Sequence, residues 1–282
     1  MNQLIKLCLL CCILLMSPFA QAQLDVRMAP VRQDYMLGEA IALRLTIVNS
    51  SDQHLKLTNT DARKWLHFTV SATNCPEGVA ALASPRFPEL TLTPGSTRTF
   101  ELNIKPYFNF SRMGNYVITA TVRMPDGTST YSSNRTSINL AYGSSMRCFN
   151  IQNKGRKLQL HAKMLHTDNT DCIFGQVIDA NSGIALNACY LGRFLNFMTP
   201  IIIIDRKQNM HMLCQSTPKY YTYAVMNPDG NRVKYQIYRR TQGPIDLVVT
   251  GAGVTIVGAV PHVQVDKNDG FNDVHSATDR IN

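Results

Sequence analysis

The stretch Ala40-Ile-Ala-Leu-Arg-Leu-Thr-Ile-Val-Asn49 decides the fold of the first half of the chain. Every second position in it carries a large aliphatic side chain: Ile41, Leu43, Leu45 and Ile47. Successive side chains of a strand point to opposite faces of a sheet, so this alternation predicts a strand that buries one face. The turn formers on either side, Leu37-Gly38-Glu39 and Asn49–Asp52, mark its ends.

Further strands are predicted in the same half, each bounded by turns rich in glycine, proline or asparagine. They are Leu24–Met28, His54–Thr58, Leu66–Ala72, Thr97–Ile104, Tyr116–Met124 and Ser137–Ala141. Helical periodicity is not sustained in this region. Short strands that are closely spaced by turns are typical of an antiparallel β-sandwich, which we expect over residues 23–146.

Three motifs in this half suggest a family. They are Tyr35-x-x-Gly38-Glu39-x-Ile41, the turn Leu92-x-Pro94-Gly95, and Gly114-x-Tyr116-x-Ile118-x-Ala120. Together they resemble the immunoglobulin-like β-sandwich modules of exported bacterial proteins. The resemblance implies a spacer, docking or adhesion module, in which Tyr116 would be the corner tyrosine whose hydroxyl bonds to nearby backbone.

Two residues qualify that resemblance. The half holds a single cysteine, Cys75, so the inter-sheet disulfide of antibody domains is missing. Trp65 is the chain's one tryptophan, and we expect it to pack in the core or at a sheet edge rather than to form a platform for stacking sugars.

An internal repeat organises the second half, residues 147–260. The segment Pro200–Cys214 aligns without gaps on Pro244–Gly258, and each copy reads as strand, turn, strand. The repeat weakly resembles the β repeats of propeller blades. Two copies fall short of the four blades with which small propellers close. We therefore expect a blade-like antiparallel β domain that packs on the first half, with assembly of several chains as the alternative.

The chain begins with an export signal and ends in a polar tail. Lys6 precedes the apolar run Leu7–Met16, and Ala20-Gln21-Ala22 is a cleavage site, so residues 1–22 are predicted to be removed before Gln23. The apolar run is shorter than a membrane span needs; an uncleaved anchor is the alternative. We expect a secreted protein or one of the periplasm or cell envelope, with no transmembrane segment in the mature chain. Residues 261–282 are expected to be flexible.

Cysteine usage fits an oxidising compartment. Five cysteines remain after removal of the signal, at 75, 148, 172, 189 and 214, and an odd count leaves one thiol free or paired between chains. Cys172 and Cys189 stand on either side of the predicted turn Ala180–Ser182, so we predict a disulfide between them. Cys75 with Cys148 is a second, weaker pair. No CxxC pair suggests a redox or zinc site.

The chain carries no recognised catalytic signature. HExxH, GxSxG and the P-loop are absent from the sequence, and neither a metal site nor a cofactor is predicted. A cysteine nucleophile would need a histidine brought near it by folding. A carbohydrate-active enzyme is the alternative to a binding protein and would need a pair of converging carboxylates. The candidates are Asp168, Asp171, Asp179 and Asp205.

Positive charge points to the class of partner. The chain has a formal charge of +9, and residues 147–260 hold 13 basic against 6 acidic side chains. In an exported protein this favours an anionic polysaccharide or an envelope protein over nucleic acid. Candidate binding residues are Lys219, Tyr221 and Tyr223, predicted on one strand face, and Arg206, Lys207, Arg239 and Arg240, predicted to gather in one patch. We expect a non-catalytic binding or structural protein, or a subunit of an envelope assembly.

Overall fold

The computed structural model describes residues 24–262, except 61–62, 74–77, 86, 128, 242 and 252. The described chain is all-β apart from one 3₁₀ turn at Lys105–Tyr107. The strands are β1 Leu24–Pro30, β2 Asp34–Met36, β3 Ala42–Asn49, β4 Leu55–Leu57, β5 Leu66–Ala72, β6 Leu90–Leu92, β7 Thr97–Asn103, β8 Gly114–Arg123, β9 Thr130–Ser132, β10 Thr136–Ala141, β11 Ser144–Asn153, β12 Arg156–Thr167, β13 Thr170–Asp179, β14 Ala185–Arg193, β15 Ile201–Ile204, β16 Met210–Gln215, β17 Tyr220–Met226, β18 Arg232–Arg240, β19 Asp246–Thr250, β20 Gly253–Val257 and β21 Ala259–Pro261.

Two predicted segments lie outside the described residues. These are the signal peptide, residues 1–22, and the tail beyond residue 262. The first residue of the predicted tail, Pro261, ends strand β21. Among the residues that the structure describes, no helix has the length and apolar character needed to cross a membrane.

The first half folds into two larger sheets and the two-stranded sheet β4-β6, and all three contribute to one hydrophobic core. One larger sheet has the order β1-β3-β7, and the other has the order β2-β10-β8-β5 with β9 beside β8. Each strand predicted in this half is present, with ends shifted by a few residues. In β3, Leu43, Leu45 and Ile47 are all fully buried, which confirms the alternation read from the sequence. Burying one such side chain stabilises the fold by about 1.5–3 kcal/mol.

Two single residues in this half behave as expected. The Tyr116 hydroxyl donates a hydrogen bond to the carbonyl of Arg112 at 2.7 Å, the backbone tie that was predicted for a corner tyrosine. Trp65 lies in the core, and its Nε1 donates to the carbonyl of Pro88 at 3.0 Å. Its indole is therefore not a sugar platform. These contacts fit a sandwich, although they do not single out the immunoglobulin-like topology.

The second half consists of two antiparallel meanders. Strands β11 to β14 form the third sheet in sequential order, and β15 to β18, followed by β21, form the fourth. The core between these sheets includes Leu160, Met210 and Met212, all fully buried. The opposite face of the fourth sheet packs against the ribbon β19-β20, so its strand β17 is buried on both faces.

The four larger sheets follow one another in a propeller-like arrangement of four blades. The first pair shares one core, the last pair shares another, and the segment after β2 joins the pairs. At this junction Gln176 Nε2 donates to the carbonyl of Leu37 at 2.6 Å. The backbone N–H of Ala188 donates to the carbonyl of Gly38 at 3.0 Å. Arg32 and Glu39 form an ion pair there, with side chains only 10% and 8% exposed.

The connection between the halves is two residues long, Tyr142 and Gly143. The predicted boundary between residues 146 and 147 falls inside β11. Gly143 has φ +63°, and a Cβ there would lie 2.6 Å from the carbonyl oxygen of Met164. The short joint therefore requires glycine.

Both copies of the internal repeat fold as hairpins, but the two hairpins occupy different places in the fold. Pro200–Cys214 contains the hairpin β15-β16, and Pro244–Gly258 contains the hairpin β19-β20. The first hairpin belongs to the fourth sheet, whereas the second is a separate ribbon that covers that sheet. The blade-like units are instead the meanders β11–β14 and β15–β18.

Candidate binding site

The candidate site lies at the end of the hairpin formed by β11 and β12. Lys154 and Gly155 form its turn with φ of +50° and +77°, and the flanking pair Asn153 and Arg156 is in register. The β17–β18 turn, the 3₁₀ turn of the first half and strand β14 all approach this hairpin end. We call residues 152–157 the hairpin tip.

A groove between the two halves lies on one side of the hairpin tip and encloses about 640 Å³. That volume is within the range of small-molecule sites. Side-chain amides, basic groups and one carboxylate converge on it. The lining residues are Ala40, Leu82, Asn103, Lys105, Pro106, Asn153, Lys154, Arg156, Leu158, Val177, Leu186, Asn187, Pro228, Asp229 and Asn231.

Salt bridges hold the charged rim of this groove. Lys154 Nζ lies 3.1 Å from Asp229 Oδ1, which also accepts a hydrogen bond from Asn153 Nδ2 at 2.9 Å. Arg156 pairs with Asp179 at 2.9 Å. The side chains of Lys154 and Arg156 remain 74% and 57% exposed, so both cations can reach a ligand. Bridges this exposed hold their partners weakly.

Lys105 forms the floor between the halves. Its Nζ donates to the carbonyl of Gly38, to the carbonyl of Leu186 at 3.0 Å and to Asn187 Oδ1 at 3.2 Å. Burial lowers the pKa of Lys105 to about 8, against the opposing pull of Glu39. The ammonium therefore stays protonated at neutral pH and adds positive charge below the groove.

A second groove, of about 540 Å³, lies on the other side of the hairpin tip. It is lined by Asn150, Ile151, Gln152, Lys157, Leu158, Ala180, Ile204, Asp205 and Gln208. Leu158 lines both grooves. The hairpin tip thus lies between two polar depressions, and amide groups and cations border both.

The predicted basic patch is divided by the structure. Arg206 and Lys207 lie in the β15–β16 turn, at the end of the fourth sheet where Met210 pairs with Met226. Arg239 and Arg240 lie at the opposite end, where Arg239 pairs with Tyr220. Six residues of β17 separate the ends, on the order of 20 Å at 3.3 Å per residue. The two pairs do not form one patch, because the β15–β16 turn and the C-terminal end of β18 lie at opposite ends of the fourth sheet.

The predicted tyrosine face is interior. Tyr221 and Tyr223 are 4% and 3% exposed, while Lys219 is exposed in the turn before them. The Tyr223 hydroxyl donates to His211 Nδ1 at 2.7 Å, and His211 Nε2 donates to Asp205 Oδ2 at 3.1 Å. Burial raises the pKa of Tyr223 to about 12. These rings cannot stack against a ligand from solvent.

The candidate catalytic carboxylates do not converge in one pocket. Asp171 pairs with His166 beside the β12–β13 turn, which also holds Asp168. Asp179 lies at the far end of β13, where Arg156 and backbone N–H groups of its own turn lower its pKa to about 2. Asp205 caps its own turn and holds His211. In the described part of the chain, no cluster of three histidine, cysteine or acidic residues could bind a metal ion.

The predicted disulfide between Cys172 and Cys189 is not formed. Cys189 pairs in register with Gly175, and Cys172 pairs with Arg193. The two cysteines consequently face different cores, since β-bulges shift the register between the two strands. Cys75, the expected partner of Cys148, lies outside the described residues.

Folding does bring one cysteine to a histidine. Cys148 and His161 face each other on β11 and β12, with Sγ and Nε2 3.4 Å apart. The Cys148 side chain is exposed. Desolvation raises the pKa of its thiol, against the lowering effect of Lys163. This pair was not predicted from sequence, because it depends on the register between β11 and β12.

Comparisons with known proteins add little. No protein-family model matches the chain, and no curated protein matches it. Among solved structures it is similar to the Pseudomonas fluorescens alkylpurine DNA glycosylase AlkC, bound to DNA containing an abasic site analog. The identity is 16% and the TM-score 0.30, over 46% of this chain and 33% of that chain. The match spans about a third of that protein, and a similarity this distant assigns neither fold nor activity here.

Proposed function

We propose that the mature chain is an exported, non-catalytic binding protein that holds an anionic polysaccharide at the hairpin tip. The observation that carries the proposal is the placement of exposed Lys154 and Arg156 between two polar grooves. Amide groups can bind the hydroxyls of a sugar, and the cations can bind its carboxylates or sulfates. The first half, taken as an immunoglobulin-like module, would position this end of the second half.

An extended ligand fits the shape better than a compact one. Leu158 lines both grooves, so a chain of sugars can cross the hairpin tip and occupy both sides. Cations line both sides as well, with Lys105, Lys154 and Arg156 in the first groove and Lys157 in the second. A carbohydrate-active enzyme has less support, since Asp168 and Asp171 lie at one end of β13 and Asp179 at the other, while Asp205 caps the β15–β16 turn.

The test is retention on heparin or another anionic glycan at low salt. We expect Lys154→Ala/Arg156→Ala to elute at lower salt than the wild type, because two exposed cations at the tip are lost and screening weakens those that remain. Arg239→Ala/Arg240→Ala is the matched control. It removes the same charge from the opposite end of the fourth sheet and should elute with the wild type.

Two outcomes would contradict the proposal. The first is a wild-type protein that does not bind the column at all. The second is an equal shift of both double variants, which would mean that net charge alone, and not the hairpin tip, determines retention.

A further inference from the structure

Strand β11 presents an open edge. Within the described ranges it pairs with β12 alone, and six of its ten residues are exposed while three are half-buried. Its only buried residue is Ile151. Such an edge offers unpaired backbone groups to another strand, and proteins commonly use it for strand addition.

The orientation of the edge follows from one hydrogen bond. The backbone N–H of Gln152 donates to Gln208 Oε1 at 3.0 Å, so it points away from β12. Backbone groups of a strand alternate in direction with a period of two residues. The N–H and carbonyl groups of Cys148 and Asn150 therefore point outward as well, along a regular stretch of the strand.

Cys148 lies on this outward-facing register with an exposed thiol, whereas the other three described cysteines are buried. His161 Nε2 lies 3.4 Å from its sulfur and donates to Gln159 Oε1 at 3.3 Å. The reactive form of a thiol is the thiolate. The open edge and the exposed thiol are separate observations at one place.

We propose that β11 pairs antiparallel with β11 of a second copy of this chain, about a two-fold axis at Cys148, and that a disulfide joins the two Cys148 residues. The sequence of β11 allows two copies of the strand to pair without opposing like charges. Its one charged residue, Arg147, would face Phe149 of the other copy and not its own equivalent. Outward-pointing residues directly opposite each other have Cα atoms about 5.5 Å apart, which matches the usual disulfide separation.

The disulfide is required because the strand contact is small. The Gln208 side chain caps the edge at Gln152 and a β-bulge interrupts the strand at Met146, so pairing extends at most from Met146 to Asn150 in each copy. Stable interfaces bury upward of about 1,000 Å², more than five residues from each side can supply. The two edges therefore align the thiols, and the covalent bond holds the dimer.

Bond formation uses a small-molecule disulfide as oxidant. The Cys148 thiolate attacks one sulfur of that disulfide, which forms a mixed disulfide and releases one thiolate. Cys148 of the second copy then attacks the protein sulfur and releases the second thiolate. Both protein thiols are oxidised, and the small disulfide is reduced to two thiols that take up the released protons.

The test incubates the full mature chain with oxidised glutathione and measures mass by light scattering and by non-reducing electrophoresis. We expect the wild type to form a dimer that dithiothreitol reduces to monomers. Cys148→Ser should form no dimer, and Cys75→Ser should dimerise like the wild type. A dimer that persists in Cys148→Ser or disappears in Cys75→Ser overturns the proposal. So does a wild-type monomer that only gains glutathione.

A second variant separates strand pairing from random thiol contact. Asn150→Pro removes an outward N–H while leaving the bonds to β12, as edge positions allow. We expect it to stay monomeric with oxidised glutathione, although Ellman's reagent still titrates Cys148 and leaves the buried thiols unreacted. A dimer that forms as fast as in the wild type would show that β11 does not align the thiols. Glycan retention is measured on Cys148→Ser, which leaves the lining of both grooves unchanged, so the two proposals can fail independently.

Discussion

Asn49 shows how one side chain can join two turns of the first half. It is fully buried at the end of β3, and its Nδ2 donates to the carbonyls of Gln53, Leu92 and Thr93 at 2.8, 3.2 and 3.1 Å. Its Oδ1 accepts the backbone N–H of Ser51 at 3.0 Å. The amide thus fixes the turn after β3 against the turn before β7.

We expect Asn49→Ala to lower the free energy of unfolding by about 2–3 kcal/mol, because buried carbonyls lose their donor. Asn109→Ala is the control: Asn109 is exposed and also begins an Asn-x-Ser sequence, and its change should stay within about 0.5 kcal/mol. Urea unfolding at neutral pH measures both. Equal losses would mean that the buried amide contributes nothing special.

The sequence predicted single residues well where one face of a strand is covered. Trp65 and Tyr116 followed from composition and motif, and the structure confirms their packing. Tyr221 and Tyr223 were predicted to face a ligand, because the alternation of side chains along a strand was taken to leave one face of the sheet in contact with solvent. Strand β17 is covered by the third sheet on one side and by the β19–β20 ribbon on the other, so the rule fails there.

At the scale of elements, two glycines test the joint between the halves. Gly143→Ala should cost about 3 kcal/mol, because it adds left-handed backbone strain to a clash with the carbonyl of Met164. Gly155→Ala, at φ +77° with no atom within 4 Å, should cost only about 1 kcal/mol. Thermal unfolding of both variants gives the comparison, and similar losses would show that the joint is not tight.

Hairpins could be predicted because their turns are formed by residues close in sequence. Which sheet each hairpin joins could not be predicted. Both copies of the repeat fold as hairpins, yet only β15-β16 joins a large sheet. The same limit explains the basic patch and the disulfide. Both predictions needed the register between strands, which β-bulges such as the one between Ile173 and Phe174 shift without any mark in the sequence.

At the scale of the molecule, Lys105 connects the halves and predicts a pH dependence. Its pKa in the folded state is lowered by burial to about 8, from the ordinary 10.5. Below pH 8 both folded and unfolded chains hold the proton. Between pH 8 and 10 the unfolded chain still holds it while the folded chain loses it, so stability increases with pH.

The measurement compares the wild type with Lys105→Met by urea unfolding from pH 7 to pH 10. The difference in unfolding free energy should be flat up to pH 8 and then move in favour of the wild type by about 1–2 kcal/mol. The variant also loses the contacts to Gly38 and Leu186, which lowers its stability at every pH. A difference that stays constant over the whole range would contradict the lowered pKa.

The grooves could not be predicted from sequence for a reason of scale. The first one draws side chains from Ala40 to Asn231, across three sheets, and none belongs to a motif. Its cations could not be told apart in the sequence from the other basic residues of a chain with excess positive charge. Only the junction of the halves, held by Lys105 and by Arg32 with Glu39, gathers them.

The order of the sheets has a consequence for how the chain can fold while it is being synthesised. The core of the first two sheets is complete once residue 140 is available, and that of the last two draws on residues 151–226. Each core can therefore close from a contiguous length of chain, N-terminal first, while later segments are still being made. The ribbon β19-β20 arrives last and covers the remaining apolar face, that of Leu213 and Val225.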